Sequence, residues 1–346
     1  MANKNDFDWE ILQRDLFDYL SRHQKTKKPL VEETAKILNI SVSGAYKKIN
    51  ARTQLTLKDM MRISNHYHVS LDRFIAGIHA PVSFHAEGIK HRHASFTDYL
   101  KYLLKHFELM QHMQGVEMTY LAGQVPIFHY LQFPHLFYFK LFTWNHLSWK
   151  IEKYQGQFDA SMYEQDGELN ELMQQILSYY YSVPLTEIWN LRMLDSTLDQ
   201  FKFFLISGKI RNKTEARKIF KEMLDLKEYL KEIAKNGAIF NRRTKEHNQS
   251  CRVFLNEIIN STELIYFRDE NGMEVIFSAY DTPNFVKSTD GRFCQYTRQW
   301  LENIQETSAL ITSKSGERNM QRAFRLMDKN LEQSEKEIEG IIQFMY

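Results

Sequence analysis

The stretch from residue 29 to residue 50 constrains the fold most strongly, because its apolar residues follow two short helical repeats separated by a tight turn. Ala35 lies midway along the first repeat, where a bulkier side chain would push a neighbouring helix away. Asn39 lies at the reversal, and asparagine tolerates left-handed backbone better than most residues. Ser41 follows and is a good N-cap for the next helix. The spacing predicts two helices that cross in close contact.

The second predicted helix has a narrow apolar side and a broad polar side. Ala45 and Ile49 are four residues apart, which turns them to the same helix face and predicts that this face is buried. The remaining surface carries hydroxyl, phenol and ammonium groups, which suit the major groove of DNA. The side chains predicted to face DNA are Val42, Ser43, Tyr46, Lys47 and Lys48, with Ser43, Tyr46 and Lys47 nearest to base edges. This helix is therefore the predicted recognition element.

The residues that follow predict two more helices. The sequence Thr56-Leu-Lys-Asp59 resembles a capping box in which Asp replaces the usual Glu. It precedes an apolar face that ends near Tyr67. Val69-Ser-Leu-Asp72 then begins a fifth predicted helix, which contains Phe74 and Ile75.

The order of these elements resembles the phage-repressor helix-turn-helix family, also called Cro-like or Xre, over residues 7–77. The resemblance implies a five-helix DNA-binding domain whose second motif helix enters the major groove. The Gln and Arg residues that family members often direct at bases do not occur in the predicted recognition helix. The motif therefore predicts DNA binding without indicating a particular operator.

Positive charge is concentrated on the same segment. Residues 22–62 contain ten Lys and Arg residues against three Asp and Glu residues, a local excess of +7, whereas the whole chain carries only +2. Neutralisation of DNA phosphates requires such a concentration of cations. The cations predicted to lie on phosphates are Arg22, Lys27, Lys28, Lys48 and Arg52. Two other interpretations stay open: a helical bundle that only resembles the motif, and a degenerate motif retained for protein contacts.

The composition of the whole chain favours helices. Only six prolines and thirteen glycines in 346 residues argue against an all-β sandwich. We predict a mainly α chain with a helix-turn-helix domain at residues 1–77, a linker at 78–95 and a helical sensing or oligomerisation region at 96–346. A subdivision of that last region is considered near residues 237–260.

Two local patterns extend this prediction into the second half of the chain. The dipeptide Asn271-Gly272 separates two short apolar runs and predicts one β-hairpin near residues 262–280. Apolar residues at helical spacing predict a helix over residues 186–207.

Residues 121–149 are dense in aromatic side chains. The stretch also contains prolines, histidines, amides and a lysine, which are too many polar groups for a membrane span. The aromatic residues either line a pocket for an apolar or planar effector or form an ordinary core, and we favour the core because aromatic side chains carry much of the packing energy. These residues are Phe128, Tyr130, Phe133, Phe137, Tyr138, Phe142, Trp144 and Trp149.

The last predicted helix has apolar residues at alternating three- and four-residue steps. This spacing is typical of a coiled-coil seam, although Ser334 interrupts it. The seam residues are Phe324, Met327, Leu331 and Ile338. Two interpretations stay open: a dimer interface, and a helix docked on its own domain.

The sequence gives no strong indication of catalytic or metal chemistry. Cys251 and Cys294 are too few for a disulfide framework or a zinc finger, and such sparse thiols fit the cytoplasm. The densest histidine cluster, His91-x-His93 with His85 and His79, has no Cys or carboxylate at zinc-site spacing. Phosphate-binding loops and nucleophile motifs do not occur in the sequence. We therefore predict no enzyme activity, no cofactor, no metal and no membrane contact.

Two functions follow from these observations. The first is a cytoplasmic transcriptional regulator that binds double-stranded DNA, forms a homodimer and responds to an effector that the sequence does not identify. The second is a protein-interaction module, such as an antitoxin-like or phage-defence component, in which DNA binding is secondary.

Overall fold

The computed structural model describes residues 9–23, 29–67, 69, 71, 74, 82–86, 94–110, 113–242, 250–259, 262–281 and 283–344. The chain divides after Ser83 into two compact units, here called the N-terminal unit and the C-terminal unit. Most of the predicted linker, residues 78–95, lies outside the described residues. His85 belongs to the C-terminal unit, because backbone hydrogen bonds of 2.7 and 2.8 Å join it to Lys287 in both directions.

Short amphipathic helices surround a small core in the N-terminal unit. The described helices are α1 (Trp9–His23), α2 (Leu30–Leu38), α3 (Val42–Ile49) and α4 (Leu57–Tyr67). Leu16 and Leu20 of α1 are fully buried against Ile63 of α4, and Leu38 brings α2 into the same cluster. The predicted succession of short helices is therefore present.

The fifth helix predicted from Val69 onward lies mostly outside the described residues, which there include only Val69, Leu71 and Phe74. The Phe74 ring packs edge-on against Tyr19 of α1, with 5.8 Å between ring centroids. The residue therefore contributes to the core of the N-terminal unit.

A residue with left-handed backbone conformation lies in the turn before α3, and another lies just after the end of α3. Asn39 has φ 57° and ψ 49°, as predicted, and the next amide returns to the carbonyl of Ala35 at 3.0 Å. After α3, Ala51 has φ 53°, and the Arg52 amide returns to the Lys47 carbonyl at 2.8 Å. These bonds form the Schellman arrangement that commonly ends helices. Backbone geometry thus fixes both ends of α3.

Within the described residues, the C-terminal unit is built on a seven-stranded mixed sheet. The strands are β1 (Glu117–Leu121), β2 (Leu185–Trp189), β3 (Cys251–Leu255), β4 (Leu264–Arg268), β5 (Glu274–Asp281), β6 (Asn284–Ser288) and β7 (Ala309–Leu310). Their order across the sheet is β6-β5-β4-β1-β2-β3-β7. β1, β2 and β3 are parallel, with Leu185 opposite both Met118 and Cys251. The other neighbouring pairs are antiparallel.

Helices connect the parallel strands, as that pairing requires, and others precede β1 or follow β6. They are α5 (Phe96–Met110), α6 (Ile127–Tyr130), α7 (Pro134–Trp144), α8 (Ser161–Glu164), α9 (Gly167–Ser182), α10 (Asp195–Ile206), α11 (Lys213–Asn236), α12 (Gly291–Glu306) and α13 (Glu317–Gln343). A π-helical turn, Asn145–Trp149, follows α7 directly. Short 3-10 turns lie at Glu152–Tyr154 and Lys314–Gly316.

The two faces of the sheet are covered unequally. Side chains alternate along each strand, so Tyr120, Leu185 and Val253 contribute to a large core that contains residues of α5 to α11 and α13. Leu121 and Ile188 contribute to a smaller core on the opposite face, to which α12 adds its buried side chains. The main core therefore lies between the sheet and one thick helical layer.

The structure corrects the predicted fold class in part. The chain is mainly helical and the hairpin around Asn271-Gly272 is present, with Arg268 paired to Glu274. That hairpin is, however, part of a seven-stranded sheet. The helix predicted over residues 186–207 was also wrong at its start, because residues 186–189 belong to β2 and α10 begins only at Asp195.

The aromatic residues of the 121–149 stretch form core, as we favoured. All eight aromatic side chains of that prediction are at most 4% exposed and belong to the main core. Helix α7 is buried on every side over residues 136–144. Among the described helices, none has the length and apolar character needed to cross a membrane.

The dimer seam predicted on the last helix is wrong in its assignment. Phe324, Met327, Leu331 and Ile338 are at most 3% exposed and belong to the main core of their own unit. Lys202 of α10 also pairs with Glu337 of α13 at 2.6 Å. The alternative, a helix docked on its own domain, is confirmed, so a homodimer would need another surface.

Candidate nucleic-acid interface

Helix α3 is held against α2 by small side chains and leaves its other side open. Ala35 of α2 is 7% exposed and Ala45 of α3 is fully buried, so both helices present small residues to the interior of the N-terminal unit. The Ser41 hydroxyl accepts the Gly44 amide at 3.1 Å and caps the N-terminus of α3. The predicted cap and the predicted burial of Ala45 are therefore confirmed, whereas Ile49 is only partly buried where it packs against the core of the N-terminal unit.

The exposed side of α3 carries most of the residues predicted to face DNA. Val42 and Tyr46 are 53% and 54% exposed, and Ser43 and Lys47 are also exposed. With 3.6 residues per turn, these four positions fall on one side of the helix. The structure thus brings together a hydroxyl, a phenol, an ammonium and an isopropyl group on one small convex surface, here called the α3 face.

Lys48 differs from its neighbour Lys47. Its ammonium donates to the Asp59 carboxylate at 3.0 Å and to the Gln54 carbonyl at 2.6 Å, and its side chain is only 15% exposed. A DNA phosphate would have to compete with both partners for this ammonium. Lys48 is therefore less available to an external anion than the exposed Lys47, which was predicted at base edges, and the exposed Arg52.

Asp59 connects this ion pair to the start of α4. Its carboxylate accepts the Thr56 amide at 3.0 Å, and its own amide donates to the Thr56 hydroxyl at 3.1 Å. This reciprocal pair is the predicted capping box. Burial raises the pKa of Asp59, but the hydrogen bonds from Thr56 and Lys48 outweigh it, so the pKa is lowered overall. The carboxylate therefore stays ionised and holds Lys48 in place.

Gln13 of α1 joins the loop after α3 to the body of the unit. The side chain is 2% exposed, its amide nitrogen donates to the Lys48 carbonyl and, at 2.9 Å, to the Thr53 carbonyl, and its oxygen accepts the Leu55 amide at 2.9 Å. Sequence reasoning missed this residue. A polar side chain in an otherwise apolar stripe of α1 was the only signal.

Only some of the remaining residues predicted to contact phosphates are among the described residues. Arg52 is exposed directly after α3. Arg22 lies in α1, but its side chain is outside the described residues, as are Lys27 and Lys28 altogether. Arg62 donates to the Leu38 carbonyl at 3.1 Å and so joins α4 to the end of α2.

The C-terminal unit contains two buried polar clusters that the sequence did not reveal. In the first, the fully buried Glu187 of β2 accepts hydrogen bonds from the Tyr180 hydroxyl and the Trp189 indole N–H, and His129 Nε2 lies 3.0 Å from its carboxylate. Burial raises the pKa of Glu187, but His129 and these donors outweigh it and lower the pKa overall.

The second cluster combines Lys140 of α7 with Glu263, which precedes β4. Lys140 donates to Gln200 at 2.8 Å, and Glu263 accepts the Tyr120 hydroxyl at 3.3 Å. Both line a cavity of about 10 Å³, which has room for no more than one water molecule. Burial lowers the pKa of Lys140 to about 8 and raises that of Glu263 to about 7. The cavity is too small for an effector, so we assign both residues a structural role.

The described residues contain no group of three His, Cys, Asp or Glu side chains placed to hold a metal ion. His85 is the one member of the predicted histidine cluster that is described. Comparison with known proteins gives no further assignment, since no protein-family model, no curated protein and no solved structure matches this chain. The helix-turn-helix resemblance over residues 7–77 therefore stays a prediction.

Proposed function

We propose that the protein is a transcriptional regulator whose N-terminal unit binds double-stranded DNA with the α3 face in the major groove. The observation that carries the proposal is the α3 face itself: a short, capped helix that buries Ala45 and exposes Val42, Ser43, Tyr46 and Lys47. The segment around it has a local charge of +7. A narrow buried stripe with a polar, cationic outer side suits insertion between phosphate backbones.

The proposed contacts divide into two kinds. Ser43 and Tyr46 lie nearest to base edges, where their hydroxyl groups donate or accept hydrogen bonds. Lys47 and Arg52 lie on phosphates and supply sequence-independent affinity. Lys48 and Gln13 hold the loop after α3 in position and so orient these groups.

A protein-interaction function is the second candidate, and an apolar groove on the N-terminal unit favours it. Among the described residues, Trp9, Leu12, Leu57 and Leu71 line a groove of about 430 Å³. Leu57 at its edge is 73% exposed. A partner protein, or the second subunit that helix-turn-helix proteins usually need for two half-sites, would bury this surface.

The test of the proposed function is the salt dependence of DNA binding by the full-length protein. Fluorescence anisotropy on a random-sequence duplex, repeated over a series of salt concentrations, gives the slope of log affinity against log salt. The Lys47→Gln/Arg52→Gln double variant should bind more weakly and have a slope flatter by about 0.9 for each phosphate that it no longer neutralises.

The matched control is Lys231→Gln/Lys235→Gln, which removes the same charge from exposed positions of α11. This control should bind DNA as the parent does. Equal affinity and equal slope for the parent and the Lys47/Arg52 variant would refute the assignment. An unmodified protein that binds no duplex even at low salt would favour the protein-interaction function.

A further inference from the structure

The α3 face contains an apolar strip. Val42 and Tyr46 are four residues apart and therefore neighbours on the helix surface. Both are more than half exposed, although the helix is amphipathic and buries apolar residues on its other side. Single exposed apolar residues are ordinary on protein surfaces. Two adjacent ones at the centre of a surface proposed to enter DNA indicate contact with something apolar.

The position of the strip along α3 matters as much as its composition. Val42 is the first residue of the helix and Tyr46 lies one turn later. In helix-turn-helix complexes the N-terminal residues of the recognition helix contact base edges. The strip therefore occupies the part of α3 that would reach deepest into the groove, while Lys47 lies at its side.

The major groove offers one apolar group, the C5-methyl of thymine. Side chains that read guanine or cytosine specifically are chiefly Arg, Lys, Asp and Glu, and α3 has no Arg, Asp or Glu between residues 42 and 49. Of its two lysines, Lys48 is held by Asp59. The amide of Asn50, at the end of the helix, donates to the Tyr46 carbonyl at 2.9 Å. With Lys47 assigned to a phosphate, the chemistry left for base reading is apolar contact plus hydroxyl groups.

We infer that Val42 and Tyr46 read thymine methyl groups, so that the DNA preferred by this protein has T·A-rich half-sites. The inference rests on the proposed function and adds the class of sequence that the α3 face selects. Ser43, between the two, hydrogen-bonds to any base and therefore tolerates either orientation of a T·A pair.

The test compares two duplexes that differ only in methyl groups: an alternating dA–dT duplex and the same duplex with uracil in place of thymine. The full-length protein should bind the thymine duplex more tightly, by about fourfold for each methyl group that it buries, the effect expected for one CH₂ or CH₃ group. The Val42→Ala/Tyr46→Ser variant should bind both duplexes alike. The control Met61→Ala, which removes a 54% exposed apolar side chain from α4 instead, should keep the preference.

The outcomes separate the inference from the proposed function. Equal binding of both duplexes by the parent protein would overturn methyl reading while leaving DNA binding intact. A preference that persists in the Val42/Tyr46 variant would also overturn it, because the preference would then come from DNA shape. Binding to neither duplex at low salt would contradict the proposed function itself. Thermal unfolding of each variant checks that the N-terminal unit remains folded.

Discussion

The two units of this protein use charged side chains in opposite ways. In the N-terminal unit, Lys47 and Arg52 are exposed on and directly after a helix whose outer side is open. In the C-terminal unit, Lys140, Glu187 and Glu263 are at most 6% exposed. Charge on the first unit is available to an external partner, whereas these charges in the second can only interact with the interior. The contacts proposed with DNA accordingly use the exposed charges of the first unit.

The two buried carboxylates of the C-terminal unit have pKa values that are shifted in opposite directions. Glu187 has two hydrogen-bond donors and His129, and its pKa is lowered despite complete burial. Glu263 receives fewer hydrogen bonds, and burial raises its pKa to about 7 even though Lys140 acts in the other direction. Burial alone disfavours an ionised carboxylate, and the number of donors decides the outcome.

The largest effect is expected at Glu187. Glu187→Ala leaves the Tyr180 hydroxyl and the Trp189 indole N–H unpaired in the core, and should lower the free energy of unfolding of the C-terminal unit by about 3–5 kcal/mol. Calorimetry of the full-length protein measures this loss. Glu187→Gln, which keeps the size and one acceptor, should be affected less. A loss below about 1 kcal/mol would mean that this cluster is not a stabilising centre.

A charge forced into the N-terminal unit should also unfold it. Ala35→Glu places a carboxylate in the contact of α2 and α3 and should destabilise that unit by about 3 kcal/mol or more, because the buried charge has no partner. The DNA-binding signal should disappear while the C-terminal unit melts as before. Ala35→Ser serves as the control for size. An unchanged melting curve for Ala35→Glu would remove Ala35 from the helix contact.

Replacement of the desolvated buried pair should stabilise the protein. The Lys140→Met/Glu263→Gln variant removes two buried charges and should raise the free energy of unfolding by about 1–4 kcal/mol. Because folding raises the pKa of Glu263, the free energy of unfolding falls as the pH rises from 4.5 through about 7. Because folding lowers the pKa of Lys140, the free energy of unfolding falls as the pH falls from 10.5 through about 8.

Both charges of this pair are therefore most unfavourable between pH 7 and 8, and the gain in the double variant should be greatest there. Denaturant titrations at pH 5, pH 7.5 and pH 10 check this dependence. A double variant that is less stable than the parent at pH 7.5 would show that the pair stabilises the fold.

The smallest effects should distinguish two adjacent lysines. Lys48→Gln breaks the ion pair with Asp59 and should lower the stability of the N-terminal unit by about 1 kcal/mol, with little change in the salt slope. Lys47→Gln should leave stability unchanged within about 0.5 kcal/mol and flatten the slope by about 0.9. Thermal melts and salt titrations of both variants measure this contrast. The reverse pattern would contradict the assignment of Lys47 to phosphate.

The motif in the N-terminal unit could be predicted from the sequence because its signals are local. The left-handed Asn39, the Ser41 cap and the capping box of Thr56 and Asp59 each involve residues within a few positions of one another. The role of Gln13 was not predicted, because its hydrogen-bond partners lie 35 to 42 residues away in the sequence. The ion pair of Lys48 with Asp59 was missed for a similar reason, since the two residues are 11 positions apart in the sequence.

The sheet could be predicted only where strands are neighbours in the chain. The hairpin of β4 and β5 has a two-residue turn signal, Asn271-Gly272. β1, β2 and β3 pair across helical connections, and no local turn marks them. β2 is buried at four of its five residues and lacks the alternation that reveals a strand, so residues 186–189 were taken for helix. The seam on α13 likewise has the same spacing whether the helix packs on another chain or on its own unit.

The most direct measurement of the central claim is photo-crosslinking from the α3 face to duplex DNA. A benzophenone-bearing amino acid in place of Ser43 in the full-length protein should crosslink to a random-sequence duplex on irradiation. The same amino acid in place of Asp18, an exposed residue of α1 in an acidic stretch with Asp15, should not. Crosslinking from Ser43 alone, suppressed by high salt, is the predicted result. Equal crosslinking from both positions, or crosslinking from Asp18 alone, would contradict the placement of α3 in the groove.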